Sequence, residues 1–238
     1  SDLEYDEPDF QKYPNISRVG HSVDQQLLYI AERLFIDDSE VQRNPKQNLG
    51  GWVSGGDIKY KNLPDVNGNY DNVIDSNDRQ YTGMPTTPEI VYGFGPSFRY
   101  KKFDFSFFFQ GAARVSIMMN GIHPFGAEGT RNVLQFIADD YWSETNQNIY
   151  AEYPRLSKRD NENNTKASTY WQRNGAFLKL KNLEVGFNHK FFRVYLRGSN
   201  LLTFSPFKYW DPEMGSGSGL SYPTQRVFNV GVQFSINK

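Results

Sequence analysis

The sequence predicts an all-β chain that crosses a membrane as an antiparallel β-barrel. Three observations point there. From residue 89 onward, segments of alternating apolar and polar residues recur. The connections between them alternate between very short and very long. The chain is also polar on average, with a mean hydropathy of −0.67, yet 16% of its residues are aromatic. A transmembrane barrel satisfies both, because only alternate residues of each strand need be oily while the lumen and loops are polar. Composition alone fits a soluble all-β domain with an aromatic core at least as well.

The 238 residues carry a net charge of −1, which gives no electrostatic case for nucleic acid or an anionic surface. Cysteine is absent, so disulfides, thiolate chemistry and cysteine-ligated metals are excluded. No apolar run approaches the roughly 20 residues of a membrane-spanning helix, and no signal peptide is visible. A first residue of Ser1 rather than Met fits a processed or cut chain.

Residues 1–22 are acidic and irregular, with Asp2, Glu4, Asp6, Glu7 and Asp9 beside Pro8 and Pro14. Residues 26–35 read as strand or helix, the run being too short to decide. Residues 36–88, rich in Asn, Asp, Gly and Pro, read as a long ordered loop. In 89–100, Ile90, Tyr92, Phe94, Phe98 and Tyr100 share one face, and Pro96 demands an edge position or a bulge. A tight turn at Lys101-Lys102 leads into 103–117, where Phe103, Phe105, Phe107, Phe109, Val115 and Ile117 face one way. Asp104, Ser106, Gln110 and Arg114 face the other, with Phe108 the exception.

The connection 118–175 holds the one helix expected, over 131–141, with Thr130 as N-cap and Val133, Phe136 and Ile137 at helical spacing. A second hairpin spans 176–188 and 192–204 around a turn at 189–191. Its first strand changes phase between Leu180 and Leu183, which predicts a bulge near Lys181. After a loop at 205–225, the strand 226–238 puts Phe228, Val230, Val232, Phe234 and Ile236 on one face. Bacterial barrels keep tight turns on the periplasmic side and long loops outside. That rule places the two turns and the C-terminus in the periplasm, and 36–88, 118–175 and 205–225 outside the cell. Tyr100, Phe103, Phe187 and Phe192 then form an aromatic girdle at one membrane boundary. The decisive premise is that lipid covers the row carrying Phe105, Phe107, Val194, Val230 and Phe234.

An ordered set of motifs carries a resemblance. Gly56-Asp57-Ile58-Lys59-Tyr60-Lys61 is followed by Asp65-Val66-Asn67-Gly68, Val73-Ile74-Asp75-Ser76-Asn77-Asp78-Arg79, Gly83-Met84-Pro85 and Tyr92-Gly93-Phe94. Then come Phe109-Gln110-Gly111, Tyr153-Pro154-Arg155-Leu156, Phe177-Leu178-Lys179-Leu180-Lys181-Asn182, Asn200-Leu201-Leu202-Thr203-Phe204, Trp210-Asp211-Pro212-Glu213 and Tyr222-Pro223-Thr224-Gln225-Arg226. In this order and spacing they resemble the C-terminal portion of the SusC/RagA family of TonB-dependent outer-membrane transporters of Bacteroidetes. The likeness runs over 50–238, and more loosely over 15–50. It implies a many-stranded barrel with an N-terminal plug, capped by a SusD-like lipoprotein, energised by the TonB complex and importing oligosaccharides or peptides. About six strands would leave two open edges, so the chain reads as a C-terminal fragment that joins the remainder of the same barrel. The sequence departs from the family pattern at Leu28 and Arg33, where glycines are usual, and at Asn69-Tyr70, two extra residues in the acidic loop. Its last strand runs on to Lys238, four residues beyond Phe234.

The acidic loop 65–78 is the candidate calcium site. Ca²⁺ takes about six to eight hard oxygens, and Asp65, Asn67, Asp71, Asp75 and Asp78 with the Val73 carbonyl could supply them. The competing reading is a turn-rich loop whose Asp and Asn side chains cap their own backbone. For ligand contact, Arg99, Arg114, Arg193 and Arg197 fall on the lumen face; salt bridges with Glu89, Asp104 and Glu184 are the simpler expectation. Trp142, Trp171 and Trp210, in the long loops, offer rings for sugars or for the lipoprotein, though loop packing is the commoner role. Catalysis finds no support: His21, His123 and His189 are far apart in sequence, and no carboxylate pair stands out. Two other readings remain open at this point, a soluble calcium-dependent carbohydrate-binding sandwich and a passive porin or adhesin barrel.

Overall fold

The computed structural model describes residues 11–119, 133–158 and 161–235. Two compact units emerge: Ser1–Met84 with Met119–Gln172, and Pro85–Met118 with Arg173–Lys238.

The first unit contains six short strands: β1 (Gln25–Tyr29), β2 (Ala31–Leu34), β3 (Lys46–Gln47), β4 (Ile58–Tyr60), β5 (Val73–Ile74) and β6 (Arg79–Pro85). They pair two by two, β1 with β6, β2 with β4, and β3 with β5. Residues 26–35 are thus strand, broken at Ile30, and they belong to these small ladders and not to the large sheet. The helices are α1 (Asp38–Arg43), α2 (Gln135–Asp139) and α3 (Glu162–Thr165). The expectation of one loop helix is therefore corrected to three among the described residues. The Asp37 carboxylate caps α1 by accepting from the Glu40 amide at 2.7 Å. The Asn161 side chain caps α3. Both caps are legible in sequence as Asp or Asn ahead of a short polar turn. Helix α2 is shorter than expected, with Leu134 at its N-cap; Thr130 lies outside the described residues. Leu28, Leu34, Phe35, Ile58, Ile74, Ile137, Tyr153 and Trp171 form the core of this unit.

In the second unit the strands are β7 (Ile90–Phe94), β8 (Ser97–Tyr100), β9 (Phe103–Ala113), the short β10 (Ser116–Met118) and β11 (Gln172–Asn174), β12 (Phe177–Asn188), β13 (Phe192–Phe204) and β14 (Val227–Phe234). The main sheet runs β14-β13-β12-β9, and both β7 and β8 pair with the far side of β9. Six strands therefore occupy five positions, in an open sheet among the described residues. Pro96 interrupts the outer strand without shifting its register, since Phe94 faces Phe109 and Ser97 faces Ser106. Proline lacks the N–H of an inner ladder, and an edge strand tolerates the loss.

Residue pairing fixes which side chains share a face. Phe98, Phe105, Val185, Leu196 and Val230 are successive cross-strand partners. They form one apolar row that no described residue covers: Phe98 is 58% exposed, Leu196 52% and Val230 75%. Phe103, Phe187, Val194 and Val232 form the next row. The bulge expected at Lys181 is present, for Leu180 and Asn182 on β12 face the adjacent residues Phe109 and Phe108 on β9. It returns Leu180 and Leu183 to the same side. The turn at Lys101-Lys102 is closed by left-handed Lys101, φ 53°. Both tight turns sit at one end of the sheet: the Asn188 amide donates to the Lys102 carbonyl at 2.6 Å. Strand β14 ends there too, with Phe234 beside Phe192.

Candidate functional site

The polar face of the sheet carries an ordered ladder of charge. Arg99 faces Asp104, and Glu184 faces Arg197. Arg193 sits between two carboxylates, with Nη2 2.5 Å from Asp104 Oδ1 and 2.6 Å from Glu184 Oε1. Its guanidinium also lies 5.0 Å from the Tyr195 ring centre. Gly186 makes the room: a Cβ there would come within 2.6 Å of Arg193 Nη2. Arg114 pairs with Glu89. Arg197 approaches the Asn182 side chain at 3.5 Å. The same face explains Phe108, the exception to the alternation. Its ring lies over Gly93 and Gly95, where a Cβ would meet it at 3.0 and 2.8 Å.

The 205–225 loop is tied to this face by a buried cation. Lys179 is 1% exposed and donates to Asp211 Oδ2 at 2.5 Å and Glu213 Oε2 at 2.6 Å. Lys181 donates to Glu213 Oε1 at 2.8 Å. Burial alone would raise both carboxyls, and the two ammonium groups outweigh it, Lys179 for Asp211 and Lys179 with Lys181 for Glu213, holding them below their ordinary values. The Trp210 indole N–H donates to the Gly215 carbonyl at 3.0 Å, and Phe207 packs edge-on against the ring. Beside the cluster lies a cleft of about 280 Å³ lined by Lys179, Asn200, Thr203, Trp210 and Arg226. Sequence reasoning passed over Lys179. The signal was present as two lysines at alternate positions of a strand and two acids at alternate positions of a loop.

In the acidic loop the carboxylates turn toward backbone amides. Asp65 accepts from Asn67 and Asn69 at 2.8 and 2.9 Å, and the Asn69 amide, foremost, holds its carboxyl below the ordinary value. Asp71 accepts from the Val73 amide at 3.0 Å. Asp75 and Asp78 form a reciprocal capping box around the turn 76–78. The buried Asp78 also accepts from the Leu63 amide at 2.6 Å, and burial raises its carboxyl. Asn67 is exposed, and Val73 lies within β5. Among the described residues no three Asp, Glu or His side chains converge as metal ligands.

The tryptophans separate sharply. Trp171 is 1% exposed and its N–H donates to the Asn164 carbonyl at 2.7 Å. Trp142 is 6% exposed and packs on Gly56, whose φ of +80° and lack of a side chain permit the contact. These two rings are enclosed within the first unit. Trp52, which sequence reasoning did not single out, is 69% exposed.

At the centre of that unit is Asp57, with no exposed surface. It accepts from Asn161 and Asn164 at 2.9 Å each and from the Ser54 amide at 2.8 Å. Arg155 reaches it at 3.0 Å through Nη2. The motifs Gly56-Asp57-Ile58 and Tyr153-Pro154-Arg155 thus meet through one ion pair whose carboxylate is wholly buried. Glu40 is held by Arg33, Lys59 and the Ile36 amide. Burial works to raise its carboxyl, and these partners overcome it, bringing it to about 2.

No protein-family model matches the chain. It is similar to TonB-dependent receptor P3 of Formosa agariphila, 30% identical over 191 residues, covering 71% of this chain and 18% of that protein. It is also similar to TonB-dependent receptor P26 of the same organism, 29% identical over 246 residues, covering 88% of this chain and 24% of that protein. Among solved structures it resembles the RagAB peptide importer in its open-open state, with a TM-score of 0.61 and 20% identity over 89% of this chain and 22% of that one. The RagAB peptide transporter gives a TM-score of 0.59 at 22% identity, over 88% of this chain and 23% of that one. The chain thus spans about a fifth to a quarter of the length of these proteins. Sequence similarity and fold agree with the ordered motifs, and the chain belongs to the TonB-dependent receptors.

Proposed function

We propose that this chain is the C-terminal barrel part of an outer-membrane importer of oligosaccharides or peptides, powered through TonB and working with a SusD-like surface lipoprotein. The observation that carries the reading is the uncovered apolar row Phe98–Phe105–Val185–Leu196–Val230 on a sheet whose opposite face is charged. Water disfavours such a row, since each large apolar side chain left exposed forgoes about 1.5–3 kcal/mol, whereas hydrocarbon accepts it. The open edges at β14 and at β7/β8 are where the remaining strands of the barrel would pair. On this reading the ends with Lys101-Lys102 and 189–191 face the periplasm. The segments 36–88, 118–175 and 205–225 lie outside the cell. Arg99, Arg114, Arg193 and Arg197 line the lumen, with Trp210 and its cleft at the outer mouth.

The test is uptake. In cells that depend on the full-length protein, deleting TonB or the partner lipoprotein abolishes nutrient import while the barrel still assembles in the outer membrane. Unchanged uptake in a TonB-null strain would refute active transport and favour a passive pore.

A further inference from the structure

We propose that the first unit carries a saccharide-binding subsite built on Trp52, a site that binds one pyranose ring, neutral or acidic. This inference rests on the importer reading above, in which the unit faces the outside of the cell, and it names a substrate class at a specific place.

The site begins with backbone. Gly50 and Gly51 both have left-handed φ, +94° and +73°. Two such residues in series are accessible to glycine at low cost, and they precede an indole that is 69% exposed. Exposed tryptophans are ordinarily mobile or packed. This one is held from behind: the Arg155 guanidinium lies 4.9 Å from its ring centre. Arg155 is itself anchored by the wholly buried Asp57. The ring is therefore presented on a fixed plate, and a ligand that stacks on it meets less of the usual ordering cost.

A cleft of about 350 Å³ opens beside it, lined by Trp52, Phe35, Gln42, Asn44, Lys46 and Gln47, among others. Trp52 is part of that lining, and Arg155, which holds the ring, is not. The volume is at the low end of ligand pockets, about 300–1,000 Å³, which suits a single ring. The polar groups on its rim are neutral amides and one cation. Gln47 is committed, donating to the Ile58 carbonyl and Asn163 and accepting from the Tyr60 amide. The Asn44 side-chain nitrogen donates to the Glu40 carbonyl at 2.7 Å. Gln42 and Lys46 are exposed. An aromatic face flanked by amides matches a ring with one apolar C–H face and a rim of hydroxyls. Lys46 is the one charged residue of the lining, so it favours a carboxylate or sulfate substituent and opposes an amino sugar.

The experiment uses the full-length transporter in detergent, titrated by calorimetry with oligosaccharides of glucose, of glucuronate and of glucosamine, for the wild type and for Trp52→Ala, Trp52→Phe and Lys46→Ala. Correct assembly of each variant is checked by resistance of the barrel to heat in gel electrophoresis. Glucose or glucuronate oligomers are expected to bind the wild type, with affinity lost about tenfold in Trp52→Ala and partly kept in Trp52→Phe. The preference for glucuronate is expected to vanish in Lys46→Ala. Equal affinity of wild type and Trp52→Ala for every oligomer, or no binding to any, overturns the proposal. So does loss of lipoprotein capture in Trp52→Ala with sugar affinity intact, which assigns the ring to protein docking. TonB-independent uptake with Trp52-dependent binding would instead defeat the importer reading and leave the subsite standing.

Discussion

Arg155 is locked to Asp57 across 98 residues of sequence, its Nε 2.8 Å from Oδ1 of a carboxylate with no exposed surface. Two amide side chains, Asn161 and Asn164, and the Ser54 amide complete the shell. A charge taken out of water is tolerated only when its lone pairs are filled, and here they are.

Asp57→Asn is therefore expected to cost about 3–5 kcal/mol within the first unit, the range for breaking a buried pair by removing one partner. Hydrogen exchange on the full-length protein checks this. Amides of 54–58 and 161–165 should lose protection while those of β9 and β12 keep theirs. Equal protection in both variants would mean that the pair contributes nothing to local stability.

Lys179→Met leaves Asp211 without its buried cation and takes one of two from Glu213. The 205–225 loop should detach from β12, seen as new protease cleavage between Phe207 and Gln225. Lys179→Arg, which keeps the charge on a longer fork, should do so less.

Acidification acts on the same clamp. Asp211 and Glu213 have folded values below their ordinary 3.8 and 4.5. A depressed carboxyl stabilises the folded form fully above its unfolded value, and the contribution disappears as pH falls through the folded value. Loop protection should be constant above about pH 5 and decline below about pH 4. In Lys179→Met the decline should shrink, because Asp211 is no longer held down and Glu213 keeps only Lys181, so less stability is left for acid to remove.

Arg193 serves two acids at once, so its replacement by Gln should leave Asp104 and Glu184 with only their cross-strand partners Arg99 and Arg197. A cycle with Asp104→Asn should recover part of the loss, with a coupling of about 0.5–3 kcal/mol measured by barrel unfolding in denaturant. Independent effects would mean that the two side chains do not communicate in the assembled barrel.

Val230→Arg tests the environment of the apolar row. Val230 is 75% exposed, so on a water-facing surface the change should be nearly neutral. Against hydrocarbon it costs about 2–4 kcal/mol near the midplane, and the assembled fraction in the outer membrane should fall accordingly. Asn229→Arg, on the opposite face of the same strand, is the control that should assemble normally.

The sequence by itself determined the main sheet of the second unit. The faces of its long strands, both tight turns and the bulge at Lys181 follow from a two-residue period that each strand displays locally; the break at Arg114, which splits 103–117 into β9 and β10, and β11 inside the expected connection 118–175 did not show in that period. Pro96 called for an edge position or a bulge, because a missing N–H is a local fact, and the unshifted register settled on the edge. The first unit was not legible in that way. Its strands are two to seven residues long and pair across long gaps, as Lys46 does with Val73 and Leu34 with Ile58, so no window holds a periodic signal. Only the tertiary structure decided which polar residues are buried. Asp57, Asn163 and Lys179 look like ordinary surface residues until the partners that fill their hydrogen-bonding capacity arrive from elsewhere in the chain. The same holds for the tryptophans: sequence shows four large amphipathic rings, and long-range packing encloses Trp142 and Trp171 and leaves Trp52 in solvent.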